Sequence, residues 1–284
     1  MVLDLLVDGV TFGLLLSLLG VGITLIFGLG EILNLAHGEF AVISAVLASV
    51  LLGMGADLIS SALLSLVFVG LIGLAVERLL LFPIYHARGE TRILMGIFMT
   101  LGLSLAIDSY LVNTLPEGQL SVRLPFQSIL IGGASLRPSS LISAAIAIST
   151  LITLALFLKT TCVGRAIRTV AQNETGALLC GVNPATLRTL IFALGAVMAG
   201  LAGILYGLMA TVTTASGFQL TIFGLIVAIV GGVRSVYGTV VSGILLGIVQ
   251  SFSSFFFGAY TSLVIFLLVV ILTILARPEG ILGG

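Results

Sequence analysis

A chain of 284 residues that is 59% hydrophobic and 8% charged carries too little polar surface to be a water-soluble domain, in which roughly 25% of residues are charged. Its formal net charge of zero argues against a nucleic-acid partner, which calls for an excess of basic residues. What remains is an integral membrane protein. Asp4 and Asp8, rather than a basic leader, precede the first apolar run, so no cleavable signal peptide is expected.

Crossing the hydrocarbon takes about 20 apolar residues. Residues 10–30 form the first uncharged run, and residues 40–56 continue the apolar pattern. Between them lies GEILNLAHGEF, residues 30–40. A carboxylate facing lipid at mid-membrane costs about 2.5–3.5 kcal/mol, so Glu31 and Glu39 together would cost about 5–7 kcal/mol there. The stretch is therefore expected to be a short break between two helices, packed inside the protein at its inner mouth. Asn34 would serve free backbone groups, and His37 and Gly38 would turn the chain. Asn34, His37, Gly38 and Glu39 are candidates for three roles: shaping the break, lining a gate or pathway, or touching a ligand. The other histidine, His86, stands on a different loop, and no nucleophile–His–acid set or HExxH pattern occurs. No catalytic group, bound cofactor or metal is expected in this chain.

The next uncharged run, 58–76, is closed by Glu77-Arg78, which reads as a topology anchor. Residues 93–107 form another, and its apolar pattern continues past Asp108 to about residue 113. An acid inside a span is a functional candidate by default, and Ser104 and Tyr110 stand close enough in sequence to satisfy it. The loop 114–137 is expected outside. Its text LSVRLPFQSILIGGASLRP alternates and then meets GGAS, the pattern of a short hairpin. It would be a lid over helix ends or a docking surface for an external partner.

After the run 138–158 comes KTTCVGRAIRTVAQNETGALLCGVNPATLR, residues 159–188. Ala166, Val170, Ala177 and Leu178 recur near helical spacing, which predicts a short amphipathic helix. Gly181 stands where its C-cap would sit, and Asn183-Pro184 opens the next element. Such a helix is either a solvated anchor or a piece that docks into a partner's groove. Cys162 and Cys180 are expected to be free thiols. Two longer uncharged tracts, 189–233 and 235–276, each fit two crossings, with Gly217, Gly231, Gly232, Gly238 and Gly258 as turning points. GILYG (203–207) and GILLG (243–247) mark close helix seams. Arg234 is read as part of an inner turn. The count is eight or nine membrane segments.

Orientation follows basic residues. Arg78, Arg88 and Arg92 form one cluster, and Lys159, Arg165, Arg168 and Arg188 form a second two spans later. Both clusters, and the C-terminus beside Arg277, are placed in the cytoplasm. Arg123 and Arg137 fall in the outer loop.

In order along the chain, LNLAHGEF, GRAIRTVAQNETGALLCGVN, GAVMAGLAGILYG, IVAIVGGVRSVYGTVVSGILLG and ARPEGILG resemble the signature pieces of the branched-chain amino acid permease family of ABC importers. Urea and short-amide permeases are a close branch. The first piece resembles the family's Asn-x-x-His-Gly signature, and the second its coupling segment. Two departures stand out: Gln172 and Asn173 precede Glu174 where the family often has an acid, and TIFGLIVAIV, residues 221–230, lacks the frequent lysine.

The resemblance implies an all-α, polytopic ABC importer permease fold, with residues 1–284 as a single transmembrane domain of the shorter permease kind. It implies a multi-pass protein of a prokaryotic inner or plasma membrane that imports branched-chain or other small apolar amino acids by alternating access. Its partners would be two ATPase subunits carrying ATP and Mg, a second related permease subunit, an external substrate-binding protein and membrane lipid. The 284 residues hold no GxxxxGK[ST] phosphate loop. Coupling to the ATPase would fall to Gly164, Arg165, Arg168, Ala171 and Gly181. The competing readings are a urea or amide permease, an ion-coupled secondary transporter working through Asp108, and a structural membrane subunit of another complex.

Overall fold

The structure, a computed structural model, describes residues 2–87, 89–114, 129–131 and 134–282. Arg88, Arg123 and most of the 114–137 loop lie outside the described residues. The helices are α1 (Val2–Gly30), α2 (His37–Gly53), α3 (Leu58–Val76), α4 (Glu90–Thr114), α5 (Pro138–Thr160), α6 (Cys162–Gln172), α7 (Glu174–Leu179), α8 (Pro184–Met209), α9 (Ser216–Gly231) and α10 (Val236–Ala276). A π turn (Glu77–Leu81) and a 3-10 turn (Phe82–His86) extend α3. Between α4 and α5, β1 (Ile129–Ile131) and β2 (Ala134–Leu136) pair antiparallel, where the sequence pattern places a hairpin.

The fold is all-helical apart from that ribbon. Six helices among the described residues have the length and composition to cross a membrane: α1, α3 with its extension, α4, α5, α8 and α10. The sequence suggests eight or nine segments. The difference lies in α2 and α9, which are 17 and 16 residues long, and in α10, counted once although it is two helices joined at Gly258. A straight helix of 41 residues would run about 60 Å, twice the roughly 30 Å hydrocarbon core. Gly258 breaks it with φ 81° and ψ 168°, a conformation that glycine tolerates and other residues resist.

α1 is the axis of the molecule. It carries no polar face, and its neighbours are α10, α8, α9 and α5. Side-chain hydrophobicity cannot hold helices together against lipid, so close backbone approach must. Gly9, Gly13 and Ser17 lie on one face of α1 and meet Ser251, Gly247 and Gly243 of α10 in antiparallel order. The crossing is tied at both ends: Ser17 Oγ donates to the Val240 carbonyl at 3.1 Å, and Ser251 Oγ donates to that of Leu5 at 3.0 Å. Gly22 abuts Gly195 of α8, and Gly203 lies against the Ala41 backbone of α2. The GILLG seam and Gly203 of the GILYG seam are therefore used inside the chain.

The two ends of the bundle differ in charge. At the start of α1, Asp8 binds Arg137 at 2.9 Å and accepts from Ser140 at 2.8 Å. At its other end, Arg92 and Arg234 flank Glu31, and Arg188 reaches the Leu29 carbonyl. Arg92 of the first basic cluster and Arg188 of the second thus share one end, as two intervening spans require.

The seams make a direct prediction. In detergent melts, Gly203→Val and Gly13→Val should each lose stability by about the 1–3 kcal/mol typical of overpacking, because the added carbons meet backbone. Gly102→Val, where a Cβ has nothing within 4 Å, should melt like wild type.

Candidate functional site

The motif GEILNLAHGEF is a break followed by a half-helix. α1 stops at Gly30, and Glu31 takes a left-handed φ of 51°. Residues 31–36 run without helix, and α2 starts at His37. The first part of the stretch is at the mouth, as expected, since Glu31 pairs with Arg234 at 2.9 Å. The second part is deeper than expected. His37 packs on Gly22, eight residues back along α1, or about 12 Å further into the bundle at 1.5 Å per residue. α2 therefore begins well inside the span.

Inside lipid every open backbone group must find a protein partner. Asn34 Oδ1 accepts from the Ala36 N–H at 3.0 Å, closing a turn on itself. The Leu35 N–H donates to Thr100 Oγ1 of α4 at 3.0 Å, and Thr100 in turn donates to the Leu33 carbonyl at 3.2 Å. The Gly38 N–H donates to Thr221 Oγ1 of α9 at 2.7 Å. α4 meets the break along one stripe of Gly96, Thr100 and Ser104; a Cβ on Gly96 would strike Ile32.

The same device occurs again later in the chain. α8 is followed by a six-residue non-helical stretch, 210–215, and then by the short α9. The first turns of α2 and α9 meet: a Cβ on Gly38 would overlap the Gly217 carbonyl, and one on Gly217 would overlap the Glu39 carboxyl group. Discontinuous helices whose ends meet inside the membrane are a recurrent way of building polar sites there.

Glu39 is 1% exposed. Ser104 Oγ donates to its Oε1 at 3.0 Å, while Oε2 has no hydrogen-bond partner among the described residues. Its carboxyl group sits at the N-terminal ends of both α2 and α9. Each such end favours an anion by up to about 2 kcal/mol when partly buried. Together they offset most of the roughly 3 kcal/mol that a carboxylate costs at mid-membrane. Asp108 lies one turn beyond Ser104 on α4. Its Oδ1 is buried without a partner among the described residues, because Ser104 serves Glu39 instead. Tyr110 is 68% exposed. The local satisfaction of Asp108 expected from sequence is not found. His37 is fully buried, edge-on to Phe40 at 6.5 Å, and its ring nitrogens make no hydrogen bond among the described residues. The buried Asn34 Nδ2 also lacks one there.

The second candidate region, 159–188, is two helices rather than one. Asn173 leaves the helical region (φ −155°, ψ 102°), and its side chain accepts from the Gly176 N–H at 2.9 Å, capping α7. An asparagine that caps one helix ends the one before it. α7 closes at Gly181, with φ 80° and the Val182 N–H bonded back to Ala177, as expected for a glycine C-cap. Gly164, Ile167 and Val170 form the buried side of α6. Gly164 is a seat rather than a contact surface, since a Cβ there would overlap the Phe157 and Leu158 carbonyls at the end of α5. Arg165, Ala171 and Gly181 are exposed. Arg168 bends back and donates to the Leu158 carbonyl. Cys162 and Cys180 are free and exposed.

Three features of this end were not legible as site residues. Leu178 and Leu179 of α7 are 54% and 86% exposed, an apolar knob on a polar surface. Arg188, 6% exposed, joins three elements: it donates to Glu174 Oε2 at 2.5 Å and to the Leu29 carbonyl at 3.1 Å, and lies 4.5 Å over the Tyr85 ring. Glu174 thus faces inward. Glu77, expected to be an anchor, is fully buried and accepts from Thr189 at 2.7 Å. Arg234 is held by Glu31, as an anchor would be.

Comparison with known proteins points one way. Residues 5–274 match the family described as branched-chain amino acid transport system / permease component. The high-affinity branched-chain amino acid transport system permease protein LivH of Salmonella typhimurium is 30% identical over 295 aligned positions, covering 97% of this chain and 94% of that one. BraD of Pseudomonas aeruginosa, of the same description, is 29% identical, with 99% and 95% covered. A probable LivH permease of Methanocaldococcus jannaschii is 27% identical, with 95% and 89% covered. Among solved structures, PsaBC from Streptococcus pneumoniae in complex with Fab superposes with a TM-score of 0.56 over 96% of this chain and 91% of that chain, at 11% identity. That likeness is one of fold.

Two substitutions test the break. Thr100→Val and Thr221→Val keep side-chain volume but strand the Leu35 and Gly38 N–H groups. An unsatisfied buried donor costs about 1–3 kcal/mol, so each variant should melt correspondingly lower in detergent. Thr153→Val, on the exposed side of α5, should not.

Proposed function

Because the chain belongs to the branched-chain amino acid transport permease family, we propose that it forms the translocation path of an ATP-driven importer for branched-chain or other small apolar amino acids. The full-length relatives named for branched-chain amino acids favour this substrate class over urea or amides. We place the basic end in the cytoplasm, together with the C-terminus, following the bias of Lys and Arg. The observation that carries the reading is the knob of Leu178 and Leu179 on a segment seated by Gly164 and tied inward through Glu174 and Arg188.

In this reading two ATPase subunits dock on α6 and α7 and supply the ATP and Mg chemistry. A second, related permease subunit completes the path, and an external binding protein delivers the amino acid. Leu178 and Leu179 fill a groove on the ATPase, with Arg165, Ala171 and Gly181 around them. Movement of α7 reaches Arg188 through Glu174, and Arg188 holds the last turn of α1, next to the break. Alternating access then comes from α4 shifting against the α1 core. α4 is held to the break by the Gly96–Thr100–Ser104 stripe, and most of its surface is free. Asn34, His37, Gly38 and Glu39 shape the inner gate. The path needs little charge of its own because selection is made by the binding protein.

Copurification decides the main point. Tagged chain extracted from its native cells should bring an ATPase and a second permease. A single species that transports alone in liposomes would overturn the proposal. Within the intact assembly, Leu179→Asp should abolish ATPase copurification while leaving membrane insertion unchanged. Glu174→Gln should leave the ATPase bound but lower uptake more than ATP hydrolysis.

A further inference from the structure

A cavity of about 870 Å³ opens at the basic end, between the last turns of α1, the end of α5, α6 and the turn joining α9 to α10. Its lining includes neither Leu178 nor Leu179, and it meets the break through Arg234, which pairs with Glu31. Its walls divide by chemistry. Leu25, Leu29, Leu158 and Ile167 make an apolar floor, and Lys159, Arg168 and Arg234 stand at it against one carboxylate, Glu279. Arg234 is already shared with Glu31, so Lys159 and Arg168 against Glu279 leave one net positive charge.

The cavity is also where the central helix is left uncovered. From Gly13 to Gly30 every residue of α1 is buried except Phe27 and Gly28. Gly28 lines the cavity, and a Cβ built on it would have nothing within 4 Å. Elsewhere along this stretch, glycines of α1 are pressed against backbone or side chains of neighbouring helices.

We propose that this cavity is a binding site for an anionic phospholipid, its phosphoryl headgroup held by Lys159 and Arg168 and the upper part of an acyl chain lying on the Leu25–Leu29–Leu158–Ile167 floor. Basic pockets between membrane helices at the headgroup level recognise such lipids, each Lys or Arg contributing about 1 kcal/mol. The apolar floor favours a lipid over a free phosphate ion. Arg168 sits on α6, so an occupied site steadies the segment proposed to meet the ATPase. The leaflet follows from the orientation proposed above, but binding in detergent does not depend on it.

The test uses the chain purified with its accompanying subunits in a zwitterionic-lipid detergent mixture. Added phosphatidylglycerol should raise the melting midpoint and remain bound in native mass spectra, whereas phosphatidylcholine should do neither. Gly28→Leu, whose Cβ has open space around it, lays a side chain across the acyl-chain floor and should abolish the difference. Lys159→Ala should weaken phosphatidylglycerol binding about fivefold, the factor for one basic residue at a headgroup. Should Gly28→Leu itself melt low, Ala155→Phe fills the same cavity from the α5 wall and decides the matter. Equal effects of the two lipids, or undiminished phosphatidylglycerol binding in the filled variants, would overturn the site. Displacement of the lipid by millimolar inorganic phosphate would overturn the lipid assignment and leave a free-anion site. Because binding rather than uptake is read, the outcome is independent of which amino acid is carried.

Discussion

Everything in this fold turns on the rule that a backbone inside a membrane cannot leave an N–H or C=O open. A helix obeys it automatically, and a break does not. Residues 31–36 therefore need partners, and these come from far away in sequence: Thr100 on α4 and Thr221 on α9. Once those two threonines are committed, the positions of α2, α4 and α9 around α1 are linked. Gly38 and Gly217 then have no freedom to be anything larger, because the two half-helices touch there. Glu39 fits the same scheme. Its cost is met by two helix ends that exist only because both helices are interrupted.

The basic end is organised by charge in a comparable way. Arg188 is buried and would be expensive alone, because a buried charge must be paired and hydrogen-bonded. Its partners lie on three elements: the Leu29 carbonyl on α1, Glu174 on α7 and the Tyr85 ring below α3. A change in the angle of α7 cannot be absorbed locally without loosening one of these. The outermost apolar knob and the innermost break are therefore only a few contacts apart, through Leu179, Glu174, Arg188 and Leu29.

Much of this was legible in the sequence. Charge scarcity gave the membrane class, and the cost of Glu31 and Glu39 gave a helix break at the right place. Gly181, Gly232 and Gly258 do adopt positive φ, whereas Gly217, Gly231 and Gly238 lie inside helix ends, chosen for close approach instead. What could not be read was partnership. Thr100 and Ser104 look like ordinary small residues in an apolar run until the break arrives beside them. Glu31 and Arg234 are 203 residues apart, and no local pattern joins them. Asn173 appeared to be one polar residue in a helix, because a cap and an interior position differ by backbone geometry rather than by composition. Gly164 appeared to be a contact surface for the same reason: its neighbours are carbonyls of α5, invisible in the segment's own periodicity.

The thin attachment of α4 is the last consequence of the break. A spanning helix usually earns its place by a long small-residue seam, as α1 does with α10. α4 is held instead by the Thr100 and Ser104 hydrogen bonds, the Gly96 contact, the Arg92–Glu31 pair and the packing of Ile107 and Leu111 against α2. At roughly 1 kcal/mol per hydrogen bond net, the polar stripe itself contributes a few kcal/mol. The same polar groups that make the break tolerable thus also fasten α4 to it. Its polar attachment runs through Glu39, at the meeting point of the half-helices, and Leu35, in the break. The fastening of α4 and the site where the half-helices meet are then specified by one short polar sequence.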